Sequence, residues 1–228
     1  SLIIIGLIMI ALVAIVQFSD FLSFFSIENL RDHREYLHRF VVDHYFLSVI
    51  LYTLVCILVV ATTLPLSAFM FISAGFLFGM KLGLLYSSLG ATIGAIISFG
   101  WLRYLFGYAA PDGLKLKLAS FSKNIEKYGA FYFLSLHLMS ILPFFLINAL
   151  AVIAHLSLFT FIWTTFIGII PISILYNYMG QRLGTIRSVH EILTWPVITA
   201  FLVLAFLAIL PILISKIKDF RNNINLKN

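Results

Sequence analysis

The stretch LPLSAFMFISAGFLFGM, residues 64–80, decides the fold of this chain. It is apolar almost throughout, yet it opens on Pro65 and carries Gly75 and Gly79. Proline and glycine inside an apolar run interrupt a helix unless neighbouring protein satisfies the freed backbone groups. The stretch is therefore either an ordinary membrane span or a re-entrant segment that enters a bilayer and returns to the same face.

The composition of the chain is that of an integral membrane protein. Of its 228 residues, 62% are hydrophobic and 11% are charged, and the mean hydropathy is +1.07. A soluble domain keeps about 25% charged residues. The net charge of +6 is best explained by basic loops that face an anionic membrane surface, not by nucleic-acid binding. The single cysteine, Cys56, predicts neither an internal disulfide nor a metal cluster.

Five apolar segments have about the 20 residues that a membrane-spanning helix needs. Two more, 64–80 and 129–149, are interrupted near one end by Pro65 and Pro143. The chain start is interpreted as a retained span and not as a cleaved leader. The five predicted spans are 1–18, 46–63, 82–106, 156–180 and 196–214.

Residues 19–45 predict an amphipathic helix that lies in the membrane interface. Ser26 with Asn29 indicates a helix start, and apolar residues recur after it at near-helical spacing. The three histidines of the segment do not share one helical face, which favours surface side chains over a metal site. They are His33, His38 and His44.

The distribution of Lys and Arg distinguishes the two topologies. If both interrupted segments cross the membrane, the arginine-bearing segment 19–44 and the lysine-bearing loop 107–128 fall on opposite sides. If both are re-entrant, these segments and the basic tail 215–228 share one side with eleven Lys and Arg. The positive-inside rule favours the second arrangement and places the C-terminus in the cytoplasm. Segment 64–80 then enters from outside and 129–149 from inside.

A sparse internal repeat supports entry from opposite faces. An offset of 78 residues places Pro65 over Pro143 and Gly90 over Gly168. Each half then has a proline-led segment, a turn and a long glycine-bearing helix. Together with the opposite entry sides, this predicts an inverted repeat of the kind from which many transporters are built.

Polar side chains are rare in the apolar segments, so each is a candidate for function. Arg103 is either a helix-end anchor or a fork for a lipid phosphate. His137 either contacts a substrate or satisfies broken backbone, and Asn148 either closes a hairpin or contacts a headgroup. Gly90 and Gly94 predict close helix packing. The residues predicted to shape the hairpins are Pro65, Gly75, Gly79, Pro143, Gly168 and Pro171.

Recognisable catalytic signatures are missing from the sequence. It contains no H-E-x-x-H, no G-x-S-x-G, no nucleotide-binding glycine loop and no carboxylate pair within a span. We therefore expect no enzyme activity, no cofactor and no metal.

The spacing of these prolines and glycines resembles a known family. The first half carries a proline, A-G-x-x-F-G, G-A-x-x-G-A, and an aromatic residue four positions before an arginine. The second half ends in G-x-x-P and Y-x-G. Over residues 46–184 the chain resembles the DedA-like, VTT-domain superfamily, and within it the Tvp-type branch of bacterial and yeast proteins. The matching residues are Pro65, Ala74, Gly75, Phe78, Gly79, Gly90, Ala91, Gly94, Ala95, Phe99 and Arg103, then Gly168, Pro171, Tyr176, Tyr178 and Gly180.

The resemblance implies a polytopic α-helical protein of a bacterial inner membrane, with two opposed re-entrant hairpins. It implies a scramblase or flippase whose partners are phospholipids or polyprenyl phosphates, and it leaves homo-oligomerisation open. Arg103, His137 and Asn148 are the expected headgroup contacts. The family often has an arginine and a further proline where this chain has His137 and Ser140. Its proton-coupled branch carries membrane-embedded acidic residues, which are missing from this sequence. The missing acids favour passive scrambling over proton-driven flipping. The alternatives are an ion-coupled solute transporter, a membrane scaffold for trafficking partners and a lipid-modifying enzyme.

Overall fold

The computed structural model describes residues 26–64, 66–109, 112–139 and 144–183. These residues form helices and turns without a β-strand. The predicted segments 1–18, 196–214 and 215–228 lie outside the described residues, as do Pro65 and Pro143. The helices of the described residues are α1 Ile27–Asp32, α2 Arg34–Asp43, α3 Tyr45–Ala61, α4 Ser67–Ala109, α5 Asp112–Tyr128, α6 Ala130–Met139, α7 Phe144–Ile153 and α8 Leu158–Arg182.

Helices α1 and α2 form the predicted amphipathic segment. The helix start at Ser26 is confirmed, because the Ser26 hydroxyl accepts a hydrogen bond from the backbone N–H of Asn29 at 3.1 Å. Leu30 and Val41 are buried, while the three histidines of the segment are exposed. The axis bends by 115° between α2 and α3, so α2 lies across the end of α3.

Helix α3 and the first part of α4 form a helical hairpin. The backbone N–H groups of Thr63 and Leu64 donate to the carbonyls of Val60 and Val59, at 3.0 and 3.1 Å, and Thr63 has a φ of 58°. This pattern is a Schellman motif, which ends a helix and reverses the chain. Helix α4 is interrupted at Gly79, where φ is 77° and ψ is 170°. We call residues 67–78 α4a and residues 80–109 α4b, and α3 with α4a the first hairpin.

Helices α4b and α8 form an antiparallel pair at the centre of the molecule. The Ser88 and Ser173 hydroxyls lie 3.5 Å apart, and the rings of Phe99 and Phe161 stack with centroids 4.6 Å apart. Helix α3 packs along α4b in the same direction. The predicted glycine packing is confirmed, since a Cβ added at Gly94 would lie 2.8 Å from a backbone oxygen of α3.

Helices α6 and α7 form a second hairpin beside α8. Helix α5 packs on both of them, and Asn124 of α5 donates to the Tyr132 hydroxyl of α6 at 3.1 Å. Helix α7 ends in another Schellman turn, with His155 at a φ of 52°. Ser157 then caps α8 by accepting from the N–H of Thr160 at 3.1 Å.

The two hairpins enter the central pair from opposite ends. At one end, which we call the α2 end, Arg34 and Arg39 of α2 line a cleft together with Gly79 and Gln181. At the other end, the α5 end, α5 covers α6 and α7. The first hairpin therefore starts and finishes at the α2 end, and the second at the α5 end.

This arrangement corrects part of the predicted topology. Residues 46–63, which were predicted to cross as a separate span, form one limb of a helical hairpin whose other limb lies in 64–80, and their crossing of the membrane stays a prediction. The segments 19–44 and 107–128 were predicted to share one side, yet they lie at opposite ends of the molecule. The predicted loop 107–128 also contains helix α5. The physical reason is the reversal at Thr63, because a hairpin limb packed on protein can be as long and apolar as a span.

The ends of the helices follow the 78-residue offset of the sequence. Adding 78 to Ala61, the last residue of α3, gives Met139, the last residue of α6. Adding it to Gly79, the break in α4, gives Ser157, the N-cap of α8. The corresponding halves thus end their helices at corresponding positions.

Two helices of the described residues are long and apolar enough to cross a membrane. They are α4 over Ser67–Leu105 and α8 over Leu158–Arg182, and the bent pair of α2 and α3 would make a third if it is one span. Helix α3 turns an apolar face outward, with Phe46 82% exposed and Ile50 56% exposed. Such a face suits contact with lipid chains and not with water.

Candidate functional site

A cavity of about 180 Å³ lies between the helix ends that flank the turns of the two hairpins. We call it the central groove. Its walls come from the end of α3, the start of α4a, the end of α6 and the start of α7, with α4b and α8 closing the sides. The lining residues are Val60, Ser67, Ala68, Phe71, Ala91, His137, Phe144, Ile147, Ile169, Ile172 and Tyr176.

Two of these lining residues have an ionisable side chain, the imidazole of His137 and the phenol of Tyr176. His137 is 4% exposed, and its Nδ1 lies 3.4 Å from the carbonyl oxygen of Phe133. Its ring packs edge-on against Phe133 and Phe144, with centroids 4.9 and 6.2 Å away. The imidazole is therefore held between two aromatic rings at the groove.

Gly168 brings His137 to this position. A Cβ added at Gly168 would overlap the Cβ of His137, so α6 approaches α8 as closely as it does only because this residue has no side chain. Gly168 was predicted to shape a hairpin, and the structure places it inside α8 against the first limb of the second hairpin.

Asn148 is fully buried but does not line the groove. Its amide Nδ2 donates to the Ser98 hydroxyl at 3.1 Å, which connects α7 to α4b. Of the two roles considered for Asn148, closing a hairpin or contacting a headgroup, this geometry fits the first, because the side chain holds the second hairpin against α4b. The Asn148 Oδ1 has no hydrogen-bond partner within the described residues.

Arg103 lies on the surface of α4b, away from the groove lining. Its guanidinium carbon is 5.8 Å from the centroid of the Phe99 ring, and Tyr104 beside it is 49% exposed. A cation over an aromatic face at the end of an apolar helix is typical of an interfacial anchor. The structure does not bring Arg103 and His137 together in one site.

The remaining predicted hairpin residues occupy different settings. Gly79 is at the break in α4, whereas Gly75 lies inside α4a, where a Cβ would overlap the backbone of Asn177. Pro171 lies inside α8 at the level of the groove. Because proline has no N–H, the carbonyl of Ile167 loses its helical donor there.

Asn177 is a buried polar residue that the sequence reasoning missed. Its Nδ2 donates to the Ser87 hydroxyl at 3.1 Å and to the carbonyl of Ser173 at 2.8 Å. The signal was available, because Asn177 is an amide within an otherwise apolar helix and follows a serine by one turn. Ser67 of the groove was missed as well, and Tyr176 was named only as a match to the family motif and not as a site residue.

The chemistry that the groove offers is hydrogen bonding in apolar surroundings. The lining residues carry an imidazole and two hydroxyl groups, those of Ser67 and Tyr176, and no acidic side chain. These groups suit an anionic acceptor such as a phosphate oxygen. The described part of the chain offers no group of three His, Cys, Asp or Glu that could hold a metal ion.

Comparison with known proteins identifies relatives of the chain. The VTT domain family matches residues 64–182, from the turn of the first hairpin to the end of α8. The chain is 31% identical to a transmembrane protein 41 homolog of Dictyostelium discoideum over 184 residues, which are 79% of this chain and 55% of that protein. It is 30% identical to transmembrane protein 41B of Xenopus tropicalis over 157 residues, 67% of this chain and 56% of that protein. An uncharacterized membrane protein of Arabidopsis thaliana is 26% identical over 196 residues, 84% of this chain and 68% of that protein.

The chain thus spans little more than half the length of the first two relatives. No solved structure matches it significantly. The matched names do not assign the chain to the Tvp-type branch, which stays a prediction.

Proposed function

Because the chain belongs to the VTT domain family, we propose that it moves a phosphate-bearing amphiphilic lipid between the leaflets of a membrane. The chain is a membrane protein, and its apolar helices α4 and α8 supply the frame. The observation that carries the proposal is the central groove, which lies where two hairpins from opposite ends of the molecule meet. The resemblance to lipid scramblases and flippases points the same way.

The proposal treats both hairpins as re-entrant. The first would dip into the bilayer from the α2 end and the second from the α5 end, as limbs of an inverted repeat. Irregular backbone at membrane depth is tolerated only where protein or a wet cavity surrounds it, and described residues on either side of each turn line the groove. The matching helix ends at the 78-residue offset support two related halves of this kind.

In the proposed mechanism the headgroup crosses through the protein while the acyl chains stay in lipid. A neutral imidazole has one N–H, so His137 releases the carbonyl of Phe133 and donates to the phosphate as it passes, with Ser67 and Tyr176 beside it. A cavity of about 180 Å³ is smaller than the usual ligand pocket of about 300–1,000 Å³. The hairpins therefore have to separate for a headgroup to pass, and the described arrangement corresponds to the closed state.

The predicted contacts take different roles in this proposal. Arg103, exposed near one end of α4b, would attract the phosphate at the membrane surface. Asn148 would hold α7 against α4b and not touch the lipid.

For energy coupling or catalysis the lining of the groove offers the imidazole of His137 and little else. Its lining residues include no carboxylate to carry a coupling proton. We therefore propose passive movement, without enzyme activity and without a nucleic-acid partner. A bacterial inner membrane remains the predicted location. The predicted cytoplasmic C-terminus lies outside the described residues, and the charge count behind it no longer applies now that the two basic segments lie at opposite ends.

The test is a leaflet assay with purified protein in liposomes. A fluorescent phospholipid or polyprenyl phosphate is placed in both leaflets, and a membrane-impermeant quencher reads the fraction that reaches the outer one. The wild type is expected to accelerate exchange, and His137→Phe to slow it by about tenfold or more, because a donor to a charged group is lost. His33→Phe, a change of the same kind at an exposed position, is the control.

The outcomes separate the parts of the proposal. Absence of lipid movement by the wild type would overturn lipid translocation itself. Equal rates for the wild type and His137→Phe would remove His137 from the path. Loss of activity in Arg103→Ala with normal folding would support a surface role, whereas full activity would leave Arg103 as an anchor.

A further inference from the structure

A second and larger cavity lies at the α2 end, and it shares no lining residue with the central groove. Its volume is about 810 Å³, within the usual range for ligand sites. We call it the interfacial cleft. One wall is α2, and the other is the C-terminal end of α4a with one residue of α8. The lining residues are Arg34, Glu35, His38, Arg39, Gly75, Phe76, Leu77, Phe78, Gly79 and Gln181.

The polar wall of the cleft is basic. Arg34 and His38 are one helical turn apart, and Arg39 lies beside His38. Glu35 is the one carboxylate among the lining residues, and it lies 3.7 Å from the Arg39 guanidinium on an exposed surface. Among the lining residues, two guanidinium groups stand against one carboxylate. Arginine forks are the side chains best shaped for phosphate oxygens.

The opposite wall leaves room for a ligand. A Cβ added at Gly79 would meet nothing within 4 Å, so the backbone there borders open space. Phe76, Leu77 and Phe78 add apolar surface on the same wall. A basic wall facing an apolar wall suits a molecule that has an anionic group and a hydrocarbon part.

The position of the cleft favours a lipid over a soluble anion. Helix α2 bends by 115° into α3, and the exposed apolar face of α3 begins at Phe46, three residues after α2 ends at Asp43. The cleft thus lies at the level where exposed charge gives way to exposed apolar surface. That is the headgroup level if the face of α3 contacts acyl chains.

We propose that the interfacial cleft binds the phosphate of an anionic lipid headgroup through Arg34, His38 and Arg39. The site would collect lipid at the α2 end before the headgroup reaches the central groove. The claim that this lipid is cargo rests on the proposed function. The binding itself does not, and it is measured without any translocation.

The experiment measures lipid binding to the full chain in a neutral detergent. The probes are short-chain phosphatidylglycerol, short-chain phosphatidylcholine and inorganic phosphate, and the readout is the dissociation constant from thermophoresis of labelled protein. Phosphatidylglycerol is expected to bind more tightly than the other two. Arg34→Gln and Arg39→Gln are each expected to weaken it by about tenfold, as expected for a lost charge-assisted hydrogen bond.

Two further variants make the test specific. Glu35→Gln removes the competing carboxylate and is expected to tighten binding, because repulsion of the phosphate is lost. Lys123→Gln removes one positive charge from an exposed residue of α5, at the opposite end of the molecule from the cleft, and it is expected to change little.

Each result decides for or against the site. Equal weakening by Lys123→Gln and Arg34→Gln would mean diffuse surface attraction and would overturn the cleft as a site. Equal affinity for inorganic phosphate and phosphatidylglycerol would overturn the lipid assignment in favour of a soluble anion. Normal cleft binding by a wild type that moves no lipid would overturn the proposed function and leave the cleft standing.

Discussion

Replacing Gly94 by alanine tests whether the first hairpin is held by close backbone packing. An alanine Cβ at this position would lie 2.8 Å from the carbonyl oxygen of Ile57 and 2.8 Å from the Cβ of Val60. An ordinary contact of this kind is at least 3.4 Å. Helix α3 must therefore move away from α4b by about 0.6 Å, the difference between those distances, in an interior that is already closely packed.

The energetic cost can be isolated with a control on the same helix. A Cβ added at Gly100 would meet nothing within 4 Å. Both Gly94→Ala and Gly100→Ala gain the same helix preference, about 0.5–1 kcal/mol in water. Overpacking costs about 1–3 kcal/mol. The free energy of unfolding of Gly94→Ala should therefore fall below that of Gly100→Ala by this amount.

The assay is equilibrium unfolding of the purified chain in mixed micelles with increasing dodecyl sulfate, followed by circular dichroism. Because Val60 also lines the central groove, the same variant is expected to slow lipid exchange in liposomes. If Gly94→Ala is as stable as Gly100→Ala, the close approach of α3 and α4b is not what holds the hairpin.

Three other changes probe single features of the frame. Gly79→Ala should lower the free energy of unfolding by about 1–3 kcal/mol. The reason is backbone strain alone, because φ of 77° with ψ of 170° is a glycine conformation and a Cβ at this position would meet no neighbour. An unchanged thermal midpoint would contradict this. Trp101→Phe removes the indole N–H bond of 2.8 Å to the carbonyl of Ala61 and should cost about 0.6–1.7 kcal/mol in the micelle titration. Asn177→Ala and Ser87→Ala should be coupled by about 0.6 kcal/mol in a double-mutant cycle, because their side chains form a 3.1 Å hydrogen bond; strictly additive effects would rule that bond out.

Local chemistry was enough to predict the interruptions of the chain. The helix start at Ser26 and the break at Gly79 follow from residue types that cap or bend a backbone. The close packing at Gly94 follows from small residues four apart on one helix face. The sequence singled out His137 as a polar residue within an interrupted apolar segment, and the structure places its side chain in the lining of the central groove.

The side of the membrane to which each segment belongs could not be predicted in the same way. Hydropathy reports how long an apolar run is, and α3 is nearly long enough to span. Its reversal depends on Thr63, a β-branched residue with positive φ, which no propensity rule would select for a turn. The charge count then failed, because it placed 19–44 and 107–128 on one side of the membrane although they lie at opposite ends of the molecule. The distances of Arg103 and Asn148 from the groove likewise depend on helix rotation, which sequence spacing alone does not fix.

The burial of Cys56 has a practical consequence. It is the only cysteine of the chain, and its side chain is enclosed between α3 and α4b, with 0% exposure. Any thiol introduced at the surface is therefore the one that a bulky maleimide reaches in the native protein. Lys81 and Lys123 are both exposed and belong to opposite ends of the molecule. A cysteine introduced at either position can be labelled from one side of a sealed vesicle. The labelled fraction then reports which side of the membrane each end of the molecule faces, and so from which side each hairpin enters.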